Sequence, residues 1–214
     1  VLASGMIAQG PVTAAFEDEF AAYCGVPHAV AVSNGTAALH AALLAAGVGP
    51  GDEVIVPAFT FFATASSVSM CGARPVFADV DAATATIDPA DVLAKVTPKT
   101  KAVIGVHLYG QPCDAGAVGE ICSDKGLIFI EDAAQAHGAE YRGTKTGALG
   151  DLACFSFYAT KNLATGEGGM VTTASREYDA RLRRIINHGQ SEKYLHTELG
   201  YNYRMTDINA AIGR

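Results

Sequence analysis

Short apolar runs alternate with stretches of helical period along almost the whole chain, and this alternation constrains the fold more than any other feature. The runs "EVIVP", "PVFADV", "KAVIGVHL", "GLIFIED", "ACFSF" and "GGMVTT" are of strand length and mostly apolar at successive positions. Strands of that kind are covered on both faces. Between them, Phe16, Phe20 and Tyr23 share one helical face, as do Leu39, Leu43 and Ala46,. Gly, Pro or Asp marks most of the junctions,. The pattern predicts an α/β fold in three layers, α/β/α, with a mostly parallel sheet between the helices.

With 214 residues and 50% hydrophobic content the chain can bury one substantial core,. No repeat, low-complexity tract or linker divides it, so residues 1–214 read as one domain,. There is no initiator Met, and Ile208, Ala211 and Ile212 are still building an apolar helical face when the sequence stops at Arg214. The expectation is a piece of a longer chain.

The formal charge is −7 and no Lys/Arg run is present, which argues against nucleic acid or an anionic membrane as partner,. No stretch approaches the roughly 20 apolar residues of a membrane span,. A small-molecule ligand is expected. Cys24, Cys71, Cys113, Cys122 and Cys154 form no C-x-x-C pair, so reduced, buried thiols and a cytoplasmic setting are the default,.

Ligands of open α/β sheets bind beyond the carboxyl ends of the strands, and three junctions there carry polar chemistry. In "VSNGTAALHAALLAAG", Gly35 and Thr36 open a helix whose free N–H groups and hydroxyl suit an anion,. Asn34 or Thr36 also reads as an ordinary cap. In "LIFIEDAAQAHG" an apolar strand ends on Glu131 and Asp132. An acid near the core needs a cationic partner, since breaking a buried pair costs about 3–5 kcal/mol. A metal pair or a capping Asp are the other readings, although no His or Cys stands beside these acids at ligand spacing,. In "FSFYATKNLATGEGG", Ser156 ends a strand and Lys161 follows on the turn. Desolvation there would free the amine as a nucleophile, while a lysine reaching out to water is the ordinary alternative. An anion seat, an acid and a lysine together meet the needs of pyridoxal phosphate.

"SGMIAQGPVTAAFEDEFA", "SNGTAALHAAL", "GDEVIVPAFTFFATASSV", "ARPVFADVD", "VHLYGQPCD", "IEDAAQAHGAEYRG", "FSFYATKNLATGEGGMV", "NHGQ" and "LGYNYRMTDINAAIG" resemble the DegT/StrS family of sugar-nucleotide aminotransferases nearly end to end. The resemblance implies the large cofactor-binding domain of a fold type I pyridoxal phosphate enzyme over residues 1–214, without the smaller C-terminal domain. It implies that Lys161 binds the cofactor aldehyde and moves the proton, and that Asp132 pairs with the pyridine nitrogen. Phe61 would stack on the ring and Gln135 neighbour its hydroxyl. Gly35, Thr36 and Ser156 would hold the phosphate, with Asn202 reaching it from the other subunit of a homodimer; Asn202 also reads as a turn residue. The substrates implied are a nucleotide-linked keto sugar and L-glutamate, and "GYNYRMTD" is closer to members acting on a 4-keto group. A dehydratase branch, in which histidine replaces the lysine, and a cofactor-binding piece without activity are the alternatives. His188 and "GQSEKYLH" read either as the lining of the substrate entrance or as a solvated loop.

Overall fold

A computed structural model describes residues 1–214. From the N-terminus the chain forms α1 (Pro11–Cys24), β1 (His28–Val32), α2 (Gly35–Ala45), β2 (Glu53–Pro57), α3 (Phe62–Met70), β3 (Arg74–Ala78), α4 (Pro89–Lys95) and β4 (Thr100–Val106). It continues through α5 (Ala115–Lys125), β5 (Ile128–Asp132), a ribbon of β6 (Glu140–Tyr141) and β7 (Thr144–Lys145), β8 (Leu152–Ser156) and β9 (Gly169–Thr173). α6 (Arg176–Ile185), a second ribbon of β10 (Gln190–Glu192) and β11 (Leu195–His196), and α7 (Asp207–Gly213) complete it. None of these helices is long and apolar enough to cross a membrane.

Seven strands form one sheet in the order β1-β9-β8-β5-β4-β2-β3. β9 runs antiparallel to both neighbours and every other adjacent pair is parallel, so the mostly parallel sheet is as expected. The apolar runs divide by alternation, because successive strand residues point to opposite faces. Val30, Val54, Val56, Ile104, Ile130 and Leu152 face one way, into a core with α2, α3 and α6. Ala29, Ala31, Phe155 and Met170 face the other way onto Phe16 and Phe20 of α1. On that side too, Ile55, Val103 and Phe129 meet Val92 of α4 and Val118 of α5. These are the three layers.

One expectation needs correction. "PVFADV" is not a buried strand: β3 is the sheet's outer strand, and Phe77 is 50% exposed. Its apolar residues were read as two covered faces, but with β2 alone as its neighbour β3 keeps only Ala78 fully inside. Tyr23, expected on the face of Phe16 and Phe20, is 47% exposed at the end of α1. Likewise Ile208, Ala211 and Ile212 lie on the outside of α7, while Ala210 and Asp207 are buried.

α1 has an unusual N-terminus, which ties the two ends of the chain together. Its N-cap is Gly10, which has no side chain to satisfy the free N–H groups of the first turn,. Asp207 does so from the far end: its carboxylate accepts from Gly10 N (2.8 Å), Val12 N (3.3 Å), Thr13 N (2.9 Å) and Thr13 Oγ1 (2.6 Å). A Cβ on Gly10 would sit 2.8 Å from Asp207 Oδ2, so glycine is the residue that admits the carboxylate.

β1, β2, β4, β5 and β8 all end at the same edge, because β9, the reversed strand, lies between β1 and β8. After β2 the chain moves outward to β3, and after β4 it moves the other way to β5. That reversal opens a crevice at the carboxyl ends.

Candidate active site

The crevice is a cavity of about 780 Å³, within the size range of small-molecule sites,. Gly35, Thr36, Phe61, Asp132, Gln135, Ser156 and Lys161 line it together, although they come from four separate stretches of sequence. Asn202 does not: it is exposed and bridges Asn187. The ribbon of β10 and β11 contributes nothing to the lining, and neither does His188.

α2 presents its N-terminus to the cavity. The Asn34 side chain caps it by accepting from Ala37 N at 2.8 Å, which leaves the Gly35 and Thr36 N–H groups without intrahelical partners,. Asn34 is thus the cap, and Gly35 and Thr36 line the cavity with their N–H groups unpaired within the helix. A Cβ on Gly35 would lie 2.7 Å from Ser156 Cβ, closer than real side chains pack. Glycine thus lets the helix end and Ser156 of β8 form a single cradle.

The two acids part company. Glu131 points away from the cavity and is wholly buried, where its carboxylate accepts from Gly147 N, Leu149 N and Gly150 N at 2.8–2.9 Å and from His107 Nε2 at 2.9 Å. His107 Nδ1 accepts from Cys113 N at 3.2 Å, so the ring is neutral and its proton sits on Nε2,. The expected cation beside a buried acid is absent here; four neutral donors replace it. Sequence reading missed His107 because its partner stands on the neighbouring strand rather than nearby in the chain.

Asp132 turns into the cavity and is 5% exposed. Thr64 donates to Oδ2 at 2.7 Å, and Ala134 N to Oδ1 at 3.3 Å. Thr60 joins the chain through Thr64 at 2.8 Å. Burial pushes the Asp132 carboxyl above the ordinary carboxylate range, against the pull of the Thr64 and Ala134 donors and the nearby Lys161. A carboxylate so placed favours a cationic ligand atom. Thr60 and Thr64 escaped sequence analysis, although two hydroxyls four residues apart across the start of a helix were a usable signal.

Lys161 is half-buried on the connection between β8 and β9, where its N–H donates to Tyr158 O at 2.8 Å. It is the one cationic side chain lining the cavity. Phe61 is 72% exposed at the N-cap of α3, with its ring at the cavity edge. Gln135 Oε1 accepts from Tyr109 N at 2.7 Å, so its NH₂ end is the one left to a ligand,. Opposite, Tyr203 stacks on Tyr201 at 5.1 Å and its hydroxyl meets His40 Nδ1 at 3.0 Å. In "GYNYRM" it is thus Tyr203, not Asn202, that reaches this cavity.

The DegT/DnrJ/EryC1/StrS aminotransferase family matches residues 1–214. The chain belongs to this family. It is 52% identical over 200 residues to the GDP-perosamine synthase of Caulobacter vibrioides, covering 92% of this chain and 54% of that protein. It is 47% identical over 215 residues to the dTDP-3-amino-3,4,6-trideoxy-alpha-D-glucose transaminase of Streptomyces venezuelae, covering 100% of this chain and 57% of that one. Among solved structures, S. venezuelae DesV superposes with a TM-score of 0.96 at 47% identity, over 99% of this chain and 57% of DesV. The chain thus spans a little over half the length of these relatives.

The cofactor of this aminotransferase family is pyridoxal phosphate, and the cavity's donor set fits it. A helix N-terminus with the Gly35 and Thr36 N–H groups unpaired within the helix, beside a serine, suits its phosphate,. A buried carboxylate whose ionisation burial opposes suits its ring nitrogen,. A primary amine at the rim suits its aldehyde.

Proposed function

We propose that the whole protein transfers an amino group from L-glutamate to a keto sugar carried on a nucleotide, in the cytoplasm, using pyridoxal phosphate held by this chain as its large domain. The observation that carries the reading is the convergence of the α2 N-terminus, Asp132 and Lys161 in one cavity. The sugar-nucleotide names of the relatives support the substrate class.

When bound, pyridoxal phosphate supplies an aldehyde and a ring that draws electrons from the reacting carbon. Gly35 N, Thr36 N, Thr36 Oγ1 and Ser156 Oγ hold the phosphate by hydrogen bonds and the helix dipole. Asp132 keeps the proton on the ring nitrogen, and Thr64 holds the carboxylate in place by its donation to Oδ2. Phe61 would stack on the ring, and the Gln135 amide would donate to its hydroxyl oxygen. Lys161 Nζ would bind the aldehyde, and once displaced by the donor the same amine would move the proton between the substrate carbon and the cofactor carbon in each half-reaction. Asn202 serves the phosphate in the site of a partner subunit.

The test uses the full-length protein with cofactor. Borohydride reduction and peptide mapping are expected to fix the cofactor on Lys161, and label on another lysine would refute the assignment. Incubation with glutamate and then with 3-keto or 4-keto nucleotide sugars, followed by nuclear magnetic resonance, reads the amine's position. The expected position is C4. A product that has lost a hydroxyl without gaining nitrogen would overturn the transaminase reading.

A further inference from the structure

A second, smaller cavity of about 310 Å³ adjoins the first, and Gln135, Thr160 and Lys161 line both. Tyr109 and Asn162 complete it. The amine of Lys161 therefore stands on the boundary between the cavity that fits the cofactor and an annex beside it.

The annex is built rather than accidental. Tyr109 has φ 53 and ψ 25, a left-handed conformation that side chains other than glycine adopt at a cost,. Its backbone N–H is held there by Gln135 Oε1 at 2.7 Å, and its side chain, 77% exposed, stands at the annex. Apart from Lys161, the lining is two amides, a hydroxyl and a phenol, all neutral. Such a set satisfies a hydroxylated ring, whose groups both donate and accept. A dicarboxylate would need cationic partners, and the annex has none beyond the reactive amine.

We propose that the annex is the seat of the acceptor's sugar ring, with Asn162 and the Tyr109 phenol binding its hydroxyls and so presenting the carbonyl carbon to Lys161. The inference rests on the transaminase reading and adds the residues that select the sugar.

The test uses full-length holoenzyme and two ligands, the amino-sugar nucleotide product and the nucleoside diphosphate alone, titrated calorimetrically. Asn162→Ala and Tyr109→Phe are each expected to weaken the product about three- to tenfold, the range of one net neutral hydrogen bond, and to leave the nucleoside diphosphate as it was. The half-reaction with keto sugar is expected to slow by more than the half-reaction with glutamate. Equal loss for both ligands would make the annex a nucleotide site, a larger loss with glutamate a donor site, and no loss at all an unused hollow; each outcome overturns the proposal. A wild-type enzyme that reacts with glutamate but aminates no keto sugar would instead overturn the transaminase reading beneath it.

Discussion

Asp132 is a residue whose placement costs stability until a ligand arrives. Because burial raises its native pKa, stability is fully present below the unfolded value of about 3.9 and is lost as pH rises through the raised native value,. Asp132→Asn removes that loss. In cofactor-free full-length protein the variant is expected to have the higher urea midpoint at pH 8, with the difference shrinking toward zero near pH 4; a variant less stable at pH 8 would contradict the sign. With cofactor the order of function reverses. The half-reaction with glutamate is expected to slow about 10²- to 10³-fold in stopped-flow absorbance, the usual loss of one preorganised electrostatic contact. Glu131, one residue earlier, has the opposite character: four neutral donors hold it, so its environment is complete without any ligand.

At the scale of elements, both helix N-termini discussed above depend on a glycine and on a distant partner. In an ordinary helix interior Gly→Ala stabilises by about 1 kcal/mol, but at Gly35 the new methyl group meets Ser156 at 2.7 Å. Overpacking of that kind costs about 1–3 kcal/mol and outweighs the propensity gain. Gly35→Ala is therefore expected to lower the urea midpoint and to weaken cofactor binding in equilibrium dialysis. α1 presents the converse case. Asp207→Ala strips its first turn of the carboxylate that replaces a cap, with an expected cost of about 2–3 kcal/mol in chemical denaturation. Burial opposes ionisation of Asp207, yet the Thr13 hydroxyl and the N–H groups of Thr13, Val12 and Gly10 hold its carboxyl below the usual range. Its contribution is present above the unfolded pKa and is lost as pH falls through the lowered native value. The stability gap between wild type and Asp207→Ala should accordingly narrow in acid.

For the molecule as a whole, the edge of the cavity is apolar and open. Phe61, which lines the cavity, and its chain neighbour Phe62 are 72% and 79% exposed, and Asn202 is exposed and does not line its own chain's cavity. Under the proposed homodimer, Asn202→Ala is expected to weaken cofactor binding by about 1.5–3 kcal/mol, as for a hydrogen bond to a charged group. The loss should appear in light-scattering fractions that hold the dimer and vanish in monomer. A monomeric full-length protein that binds cofactor normally would remove Asn202 from the site.

Much of this was decided locally and could be read without coordinates. The alternation of strand-like and helical stretches reflects periods of two and 3.6 residues that the backbone imposes, and it settled the layered α/β class. The strand ends at Asp132 and Ser156 and the helix start at Gly35 were equally legible, because a change of period and a capping residue mark them. What needed the tertiary structure was everything set by neighbours far apart in the chain. That β3 lies outermost and keeps Phe77 half in solvent depends on strand order, which no local period encodes. Which acid is internal and which faces the cavity depends on side-chain alternation at the end of β5 and on donors from His107 and residues 147–150. The cap of α1 comes from Asp207, near the opposite end of the chain. Each is a contact between segments brought together by folding, where the interaction energy resides in the pair and neither partner carries a mark of it alone.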